Sequence, residues 1–274
     1  MIVDAHVHVW KADPTYPNPS VTIMSPTSDV PVDLLRHYMD EHGVGRAVLV
    51  QPMYPGEDNS LVADAARAEP ERFAAVIAVD PRAGDAPDKM EYWVRERGGR
   101  GLRLRPSFPG EAAGFESDAL WKRAERLGVV ISVLGRMEHV AAIRSRAERF
   151  SAVPVIVDHL AYPDVTAGVR SPAFQSLLDL ARLPNVLVKP TGFYYHTKQG
   201  YPYDDCADFF RAVYDRFGPG RLIWGSDFPH VLLKADYGRT LHLYERRYPY
   251  VSRPELDLML GTNAERLYWK RERP

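Results

Sequence analysis

The chain has 274 residues, enough for one large barrel or two ordinary domains, and enough to bury a sizeable core without covalent staples. Hydrophobic residues make up 45% and charged residues 26%, and a net charge of −1 with both signs well mixed offers neither a nucleic-acid groove nor a patch for an anionic membrane. Cys206 is the single cysteine, which excludes an internal disulfide and fits a reducing cytoplasm. The opening MIVDAHVHVW enters a strand pattern without a signal peptide, and no apolar run approaches bilayer length. The expectation is a cytoplasmic protein with a small-molecule substrate and no nucleic-acid or membrane partner; assembly into a homo-oligomer stays open.

Strand-like apolar runs fall near Ile2–Val9, Arg46–Gln51, Ala74–Asp80, Gly101–Arg105, Val129–Leu134, Val153–Asp158, Val186–Lys189 and Arg221–Ser226. Amphipathic stretches lie between them, among them Pro31–His42, Ser60–Ala68, Ala119–Arg126, Pro172–Leu183 and Tyr203–Phe217. Strands alternating with helices predict a parallel sheet, and eight units at this length predict an α/β fold, a single-domain (β/α)8 TIM barrel over residues 1–274. A doubly wound open sheet is the structural rival. The longest irregular segment, Lys11–Val30, follows the first strand and would lie over the C-terminal mouth as a lid. The tail Leu256–Trp269 reads as a closing helix or helix pair interrupted at Gly261.

Chemistry concentrates at strand ends. In the first strand, period-two alternation puts Asp4, His6 and His8 on one face and the apolar Val3, Ala5, Val7 and Val9 on the other. Two imidazoles so spaced can converge on one metal ion or one substrate oxygen. His159 ends the sixth strand and would share that mouth, while Asp158 by parity faces away and reads as structural. Asp227 ends the eighth strand, beside the first in a closed barrel, where a carboxylate can take a proton from water. Arg103 and Arg105 share a face of the fourth strand; one would pair with a core acid such as Asp4 or Asp80, and the other, nearer the strand end, would clamp a substrate carboxylate. Gln51, Tyr54, Tyr194, Tyr195, His196 and His230 follow strands as further polar candidates. Lys189 points either inward or toward the helices. His37, His42, His139 and His242 fall on helical patterns and read as solvated.

Taken together, Asp4-Ala5-His6-Val7-His8-Val9-Trp10, Val157-Asp158-His159-Leu160-Ala161-Tyr162-Pro163, Pro184-Asn185-Val186-Leu187-Val188-Lys189 and the run Phe217 to Pro229 resemble the amidohydrolase superfamily, in its amidohydrolase 2 branch. The closing Gly261-Thr262-Asn263-Ala264-Glu265-Arg266-Leu267-Tyr268 is similar to that branch as well. The resemblance implies a barrel hydrolase from a group with lactonases of sugar lactones, muconolactones and pyrone dicarboxylates, beside a sister branch of non-oxidative decarboxylases. It implies that His6, His8, His159 and Asp227 are metal ligands or catalytic groups. One departure matters: the fourth and fifth strands end Arg105-Pro106 and Leu134-Gly135, without the carboxylated lysine or histidine of many members. That argues against a binuclear centre and weakens the decarboxylase reading.

The resulting expectation is a lactone-opening hydrolase. Asp227 is its general base, and His6, His8 and His159 polarise the carbonyl, directly or through one Zn2+ or Mn2+ ion; a metal-free site is the alternative. Arg103 or Arg105, with Tyr195 or His196, would hold a substrate carboxylate, with Gln51 and His230 nearby. The rival readings are a decarboxylase of an aromatic or muconate-type acid and a degenerate barrel that binds a metabolite.

Overall fold

A computed structural model describes residues 1–11, 29–52, 58–108 and 110–270. Among them, seven parallel strands run in chain order through one sheet: β1 (Ile2–Val7), β2 (Val44–Val50), β3 (Phe73–Ala78), β4 (Gly101–Leu104), β5 (Val130–Val133), β6 (Val155–Val157) and β7 (Val186–Val188). Helices such as Val32–Glu41, Ser60–Ala68 and Asp118–Leu127 connect successive strands, and Ala207–Phe217 follows β7. The strands are short and mostly apolar because both faces are covered, as parallel sheets require. One face packs under the helices; the other, with Val48, Val76, Val130, Ile156 and Leu187, packs against itself.

The expected eighth strand is corrected. Residues 222–228 form single parallel bridges on both sides, Leu222 to Val188 and Phe228 to Val7, rather than a regular strand. The segment is still held from both flanks, by Ile223 N–H to the Val188 carbonyl at 3.1 Å and Ala5 N–H to the Trp224 carbonyl at 3.1 Å. Regularity fails for two reasons: Trp224 N–H leaves the ladder for the Met259 carbonyl at 2.9 Å, and Asp227 adopts a left-handed φ of 60°.

The alternation expected for β1 is corrected too. Asp4 pairs with Ala47 and Val7 with Leu49, so three steps of β1 span two of β2, a bulge that shifts the side-chain phase. Before it, Val3 and Ala5 join the inner apolar cluster; after it, Val7 and Val9 join the outer one, and His6 and His8 turn inward. Asp4 is therefore not on the histidine face. It accepts hydrogen bonds from Ser226 N–H (2.8 Å), the Tyr237 hydroxyl (2.9 Å) and His6 N–H (3.3 Å), pinning the bulge to the segment that follows β7. Burial raises its pKa to about 6 despite these donors.

Gly261 does not interrupt the tail. The chain runs from the helix Arg253–Asp257 through one π turn, Leu258–Thr262, into the helix Asn263–Tyr268. The wide turn presents the Met259 carbonyl to Trp224, and an added Cβ at Gly261 would overlap the Met1 carbonyl, so glycine is there for close approach. Ala264 and Tyr268 cap the inner apolar cluster from below. The middle of the proposed lid lies outside the described residues, as does Tyr54; its ends are joined by paired Trp10–Val30 backbone hydrogen bonds of 3.0 and 2.8 Å. No described helix is long and apolar enough to cross a membrane. His37 is exposed as expected, whereas His42 is half-buried and stacks on Tyr237 at 5.4 Å.

The Asn263 amide donates to the carbonyls of Pro219 and Leu222, both at 2.8 Å, and so ties this tail to the bridging segment. Asn263→Ala is expected to cost about 1–3 kcal/mol, the penalty for stranding buried acceptors. A urea titration checks this through a lower midpoint at unchanged m.

Candidate active site

Above the inner apolar layer the side chains change character. The inward positions become His6 on β1 and His8 just after it, Arg103 on β4, Ser132 on β5, Asp158 and His159 after β6, and Lys189 after β7; Asp227 lies in the bridging segment, and all are buried. Two consecutive inward residues, Asp158 and His159, contradict the parity that turned Asp158 away. The backbone explains it: His159, Leu160, Ala161 and Tyr162 all have φ between 50° and 55°, a left-handed turn that ends the strand alternation. Such conformations are costly for residues other than glycine. Burial of Leu160 and Ala161 in the outer core, with Leu160 N–H on the Lys189 carbonyl at 3.2 Å, offsets the cost. No residue pattern announces this turn.

The imidazoles converge as the sequence predicted. The His6 ring lies 5.0 Å from His8 and 4.8 Å from His159, centroid to centroid. Asp227 completes the set: Oδ1 lies 3.3 Å from His8 Nε2 and 3.7 Å from His6 Nε2, and Oδ2 lies 4.0 Å from His159 Nε2. The second oxygen also accepts from the hydroxyls of Tyr194 (3.0 Å) and Tyr195 (2.8 Å). Burial opposes ionisation of Asp227, but the positive charge that His159 and His230 take up at low pH outweighs it and holds the carboxyl well below the usual range. Burial keeps His159 below its ordinary pKa and brings His230 down to about 4 and His196 to about 3, so these rings are neutral at pH 7.

Beneath the histidines sits a fully buried ion pair. Lys189 points inward, its Nζ 3.0 Å from Asp158 Oδ1, 3.0 Å from His6 Nδ1 and 3.4 Å from Ser132 Oγ. The Ser132 hydroxyl donates to both Asp158 oxygens, at 2.8 and 3.0 Å. Burial alone would raise the Asp158 pKa; Lys189 and His6 overcome it and keep the carboxylate ionised. Sequence reasoning missed Asp158 and Ser132 as parts of the site. Only the strand register, which pairs Ser132 with Arg103 on the neighbouring strand, brings Ser132 to the site.

The arginines differ from expectation. Neither pairs with Asp4 or Asp80; Asp80 is held by Arg82 at 2.8 Å. Arg105, expected to be the free clamp, forms a two-pronged pair with Glu111 at 3.1 and 2.8 Å. Arg103 is the one with no carboxylate partner among the described residues. It donates to the Gln51 carbonyl at 3.2 Å, its Nε has no partner among the described residues, and it is 4% exposed. Burial lowers its pKa, with Asp158 and Asp227 opposing. Gln51 donates its side-chain amide to the Asp58 carbonyl at 2.8 Å, while its own main-chain carbonyl meets Arg103. Tyr195 is bonded to Asp227 as described; His196 is buried with Nε2 unpartnered among the described residues, and its ring lies 5.5 Å from Tyr162. The Tyr162 ring also lies under the Arg136 guanidinium, at 5.6 Å.

The donor set admits a divalent cation. Two overlapping triads share Asp227: His6, His159 and Asp227, and His8, His230 and Asp227, with ligand atoms within 4.8 Å of one another. His8 Nδ1 lies 2.7 Å from the Val50 carbonyl, which only accepts, so Nδ1 carries the proton and Nε2 is a lone pair. That lone pair faces the Asp227 oxygen at 3.3 Å, a contact that a cation or a proton between them relieves. His230 Nδ1 is likewise buried without a partner among the described residues. The His8–His230–Asp227 side thus fits one cation; Arg103, on β4, brings a positive charge instead of a ligand to the other side.

Gly225 sits against this set, where an added Cβ would lie 2.7 Å from His6 Cβ and 2.9 Å from His6 N. Gly225→Ala is expected to push His6 aside at a cost of about 1–3 kcal/mol. Thermal denaturation read beside a crystal structure of the variant tests both parts.

With this geometry in hand, comparison with known proteins is informative. The Amidohydrolase family model matches residues 3–269. A 4-sulfomuconolactone hydrolase from Hydrogenophaga intermedia is 32% identical over 236 residues, covering 83% of this chain and 74% of its own. An L-fucono-1,5-lactonase from Burkholderia ambifaria is 30% identical over 244 residues, covering 86% and 83%. A crystal structure of an amidohydrolase from Burkholderia multivorans with bound zinc superposes with a TM-score of 0.81 at 26% identity, covering 98% of this chain and 99% of that one. The strand order, the inward histidines and the matched span agree: this chain belongs to the Amidohydrolase family.

Proposed function

We propose that the chain is a hydrolase that opens a carboxylate-bearing lactone with activated water, in a single-domain (β/α)8 barrel whose eighth position is taken by residues 222–228. The observation that carries this reading is Asp227: a buried carboxylate with one oxygen facing His6 and His8 and the other held by two tyrosine hydroxyls. The names of its relatives, a 4-sulfomuconolactone hydrolase and an L-fucono-1,5-lactonase, support the reaction class.

In this mechanism Asp227 takes a proton from the attacking water and returns it to the leaving alkoxide. Tyr194 and Tyr195 keep it ionised and aimed. His6 and His159, kept neutral by burial, polarise the lactone carbonyl, and Arg103, with no carboxylate partner among the described residues, takes the substrate carboxylate. Asp158 is already paired with Lys189 and Glu111 with Arg105, which leaves the Arg103 guanidinium as the cation available to an anionic substrate group. One Zn2+ or Mn2+ ion held by His8, His230 and Asp227 would further polarise the carbonyl and lower the pKa of water to about 7. The decarboxylase alternative gains nothing from β5, whose inward residue is Ser132, already bonded to Asp158.

Asp227→Asn is expected to lower kcat by about 10²–10⁴-fold with the fold retained, the usual weight of a general base. Turnover in 18O-labelled water must place the label in the ring-opened acid; carbon dioxide release without label would overturn the hydrolase reading. Asp227 works only when ionised, so activity falls as the pH drops through its pKa. Tyr194→Phe/Tyr195→Phe removes two donors to the carboxylate, raises that pKa, and should move the acid limb of kcat/KM to higher pH.

A further inference from the structure

The hydrogen-bond inventory around Lys189 constrains His6 more tightly than the ligand geometry does. A lysine ammonium has three donors and no acceptor. Three groups surround Lys189 Nζ at bonding distance: Asp158 Oδ1 (3.0 Å), Ser132 Oγ (3.4 Å) and His6 Nδ1 (3.0 Å). Ser132 gives its own proton to Asp158, so its oxygen is free to accept from Lys189. Asp158 is entirely buried, and a neutral amine beside it would strand that charge, so Lys189 stays an ammonium. A protonated His6 Nδ1 would then face an acceptor-less cation at 3.0 Å, and its other neighbour, Asp158 Oδ1, is farther away at 3.5 Å.

We infer that Lys189 is a positioning residue that holds His6 in the tautomer protonated at Nε2, so that His6 presents a hydrogen-bond donor to the mouth and not a metal-binding lone pair. His6 Nε2 is buried, has no partner among the described residues, and lies on the Asp227 side of the ring. With Nδ1 turned to the Lys189 ammonium at 3.0 Å, the ring proton falls on Nε2. The two histidines of the first strand thereby divide: His8, fixed by the Val50 carbonyl, offers a lone pair, and His6, fixed by Lys189, offers a proton. This rests on the lactonase reading for its role, in which the His6 N–H meets the carbonyl oxygen as negative charge develops there. No proton leaves His6 in that step.

The test begins with the full-length chain labelled with 15N-histidine, in a long-range 1H–15N correlation spectrum at neutral pH, His6 being identified by its loss in His6→Gln. A protonated Nε2 and bare Nδ1 are expected; protonation at Nδ1 overturns the inference, whether or not any lactone is turned over. Lys189→Met/Asp158→Asn removes both buried charges together and lets the amide oxygen accept from Nδ1. In this variant the His6 proton should move to Nδ1, Zn2+ titration should show at least tenfold tighter binding, and kcat should fall about 10²–10³-fold, the weight of one oxyanion donor, with KM changed less. Lys189→Arg, which keeps a donor at this position, should retain the wild-type tautomer. An unchanged His6 tautomer in the double variant also overturns the inference. If the tautomer behaves as expected and lactones are untouched, the positioning role stands and the reaction assignment alone fails.

Discussion

The site is organised around a constraint that low-dielectric burial imposes: an ammonium and a carboxylate taken wholly out of water must satisfy each other and their remaining bonding groups. Lys189 and Asp158 meet this by contact at 3.0 Å and by sharing Ser132. Removing one partner of such a pair typically costs about 3–5 kcal/mol, so each fixes the other and both fix the side chains above them. His6 stands directly on this pair, and through His6 the pair reaches Asp227. The pair forms the polar floor of the mouth and rests on an apolar layer that Tyr268 and Ala264 close from below.

Three departures from regular backbone put the side chains of the candidate site where they are. The bulge in β1 rotates His6 and His8 inward while Asp4 turns out to anchor Ser226. A left-handed turn after β6 lets Asp158 and His159 face the same way, and a left-handed Asp227 turns its carboxylate toward the histidines. Each deviation is costly by itself and is held by surrounding packing and hydrogen bonds, as expected where a fold stores strain at a working site. The irregular strand segment 222–228 belongs to the same pattern. It exchanges ladder bonds for the Met259 carbonyl, and so couples the C-terminal tail to the strand end that carries Asp227.

The arginines show how exposure and pairing divide two residues of identical type. Arg105, nearer the rim, meets Glu111 and stacks near Phe108 at 5.6 Å, which makes it part of the wall. Arg103, deeper and without a carboxylate partner within 4 Å among the described residues, is the cation with unspent bonding capacity. Sequence position favoured the opposite assignment, because proximity to the strand end says nothing about which acid the following loop brings back.

The sequence alone determined the strand–helix alternation, most strand positions, and the residues His6, His8, His159 and Asp227 as a convergent set. Those are properties of local periodicity, and strand ends in a parallel sheet share one rim by construction. It also located Lys189 without giving its direction. Only the tertiary structure decided that Asp158 faces inward, that Asp4 does not, that residues 222–228 are bridged on both sides and do not form a full strand, and which arginine lacks a carboxylate partner among the described residues. In each case the outcome turns on a phase shift or a partner distant in the chain: a bulge, a left-handed turn, or a carbonyl from the tail. Period-two reasoning assumes an unbroken strand, and it fails where the backbone leaves that geometry to build the site.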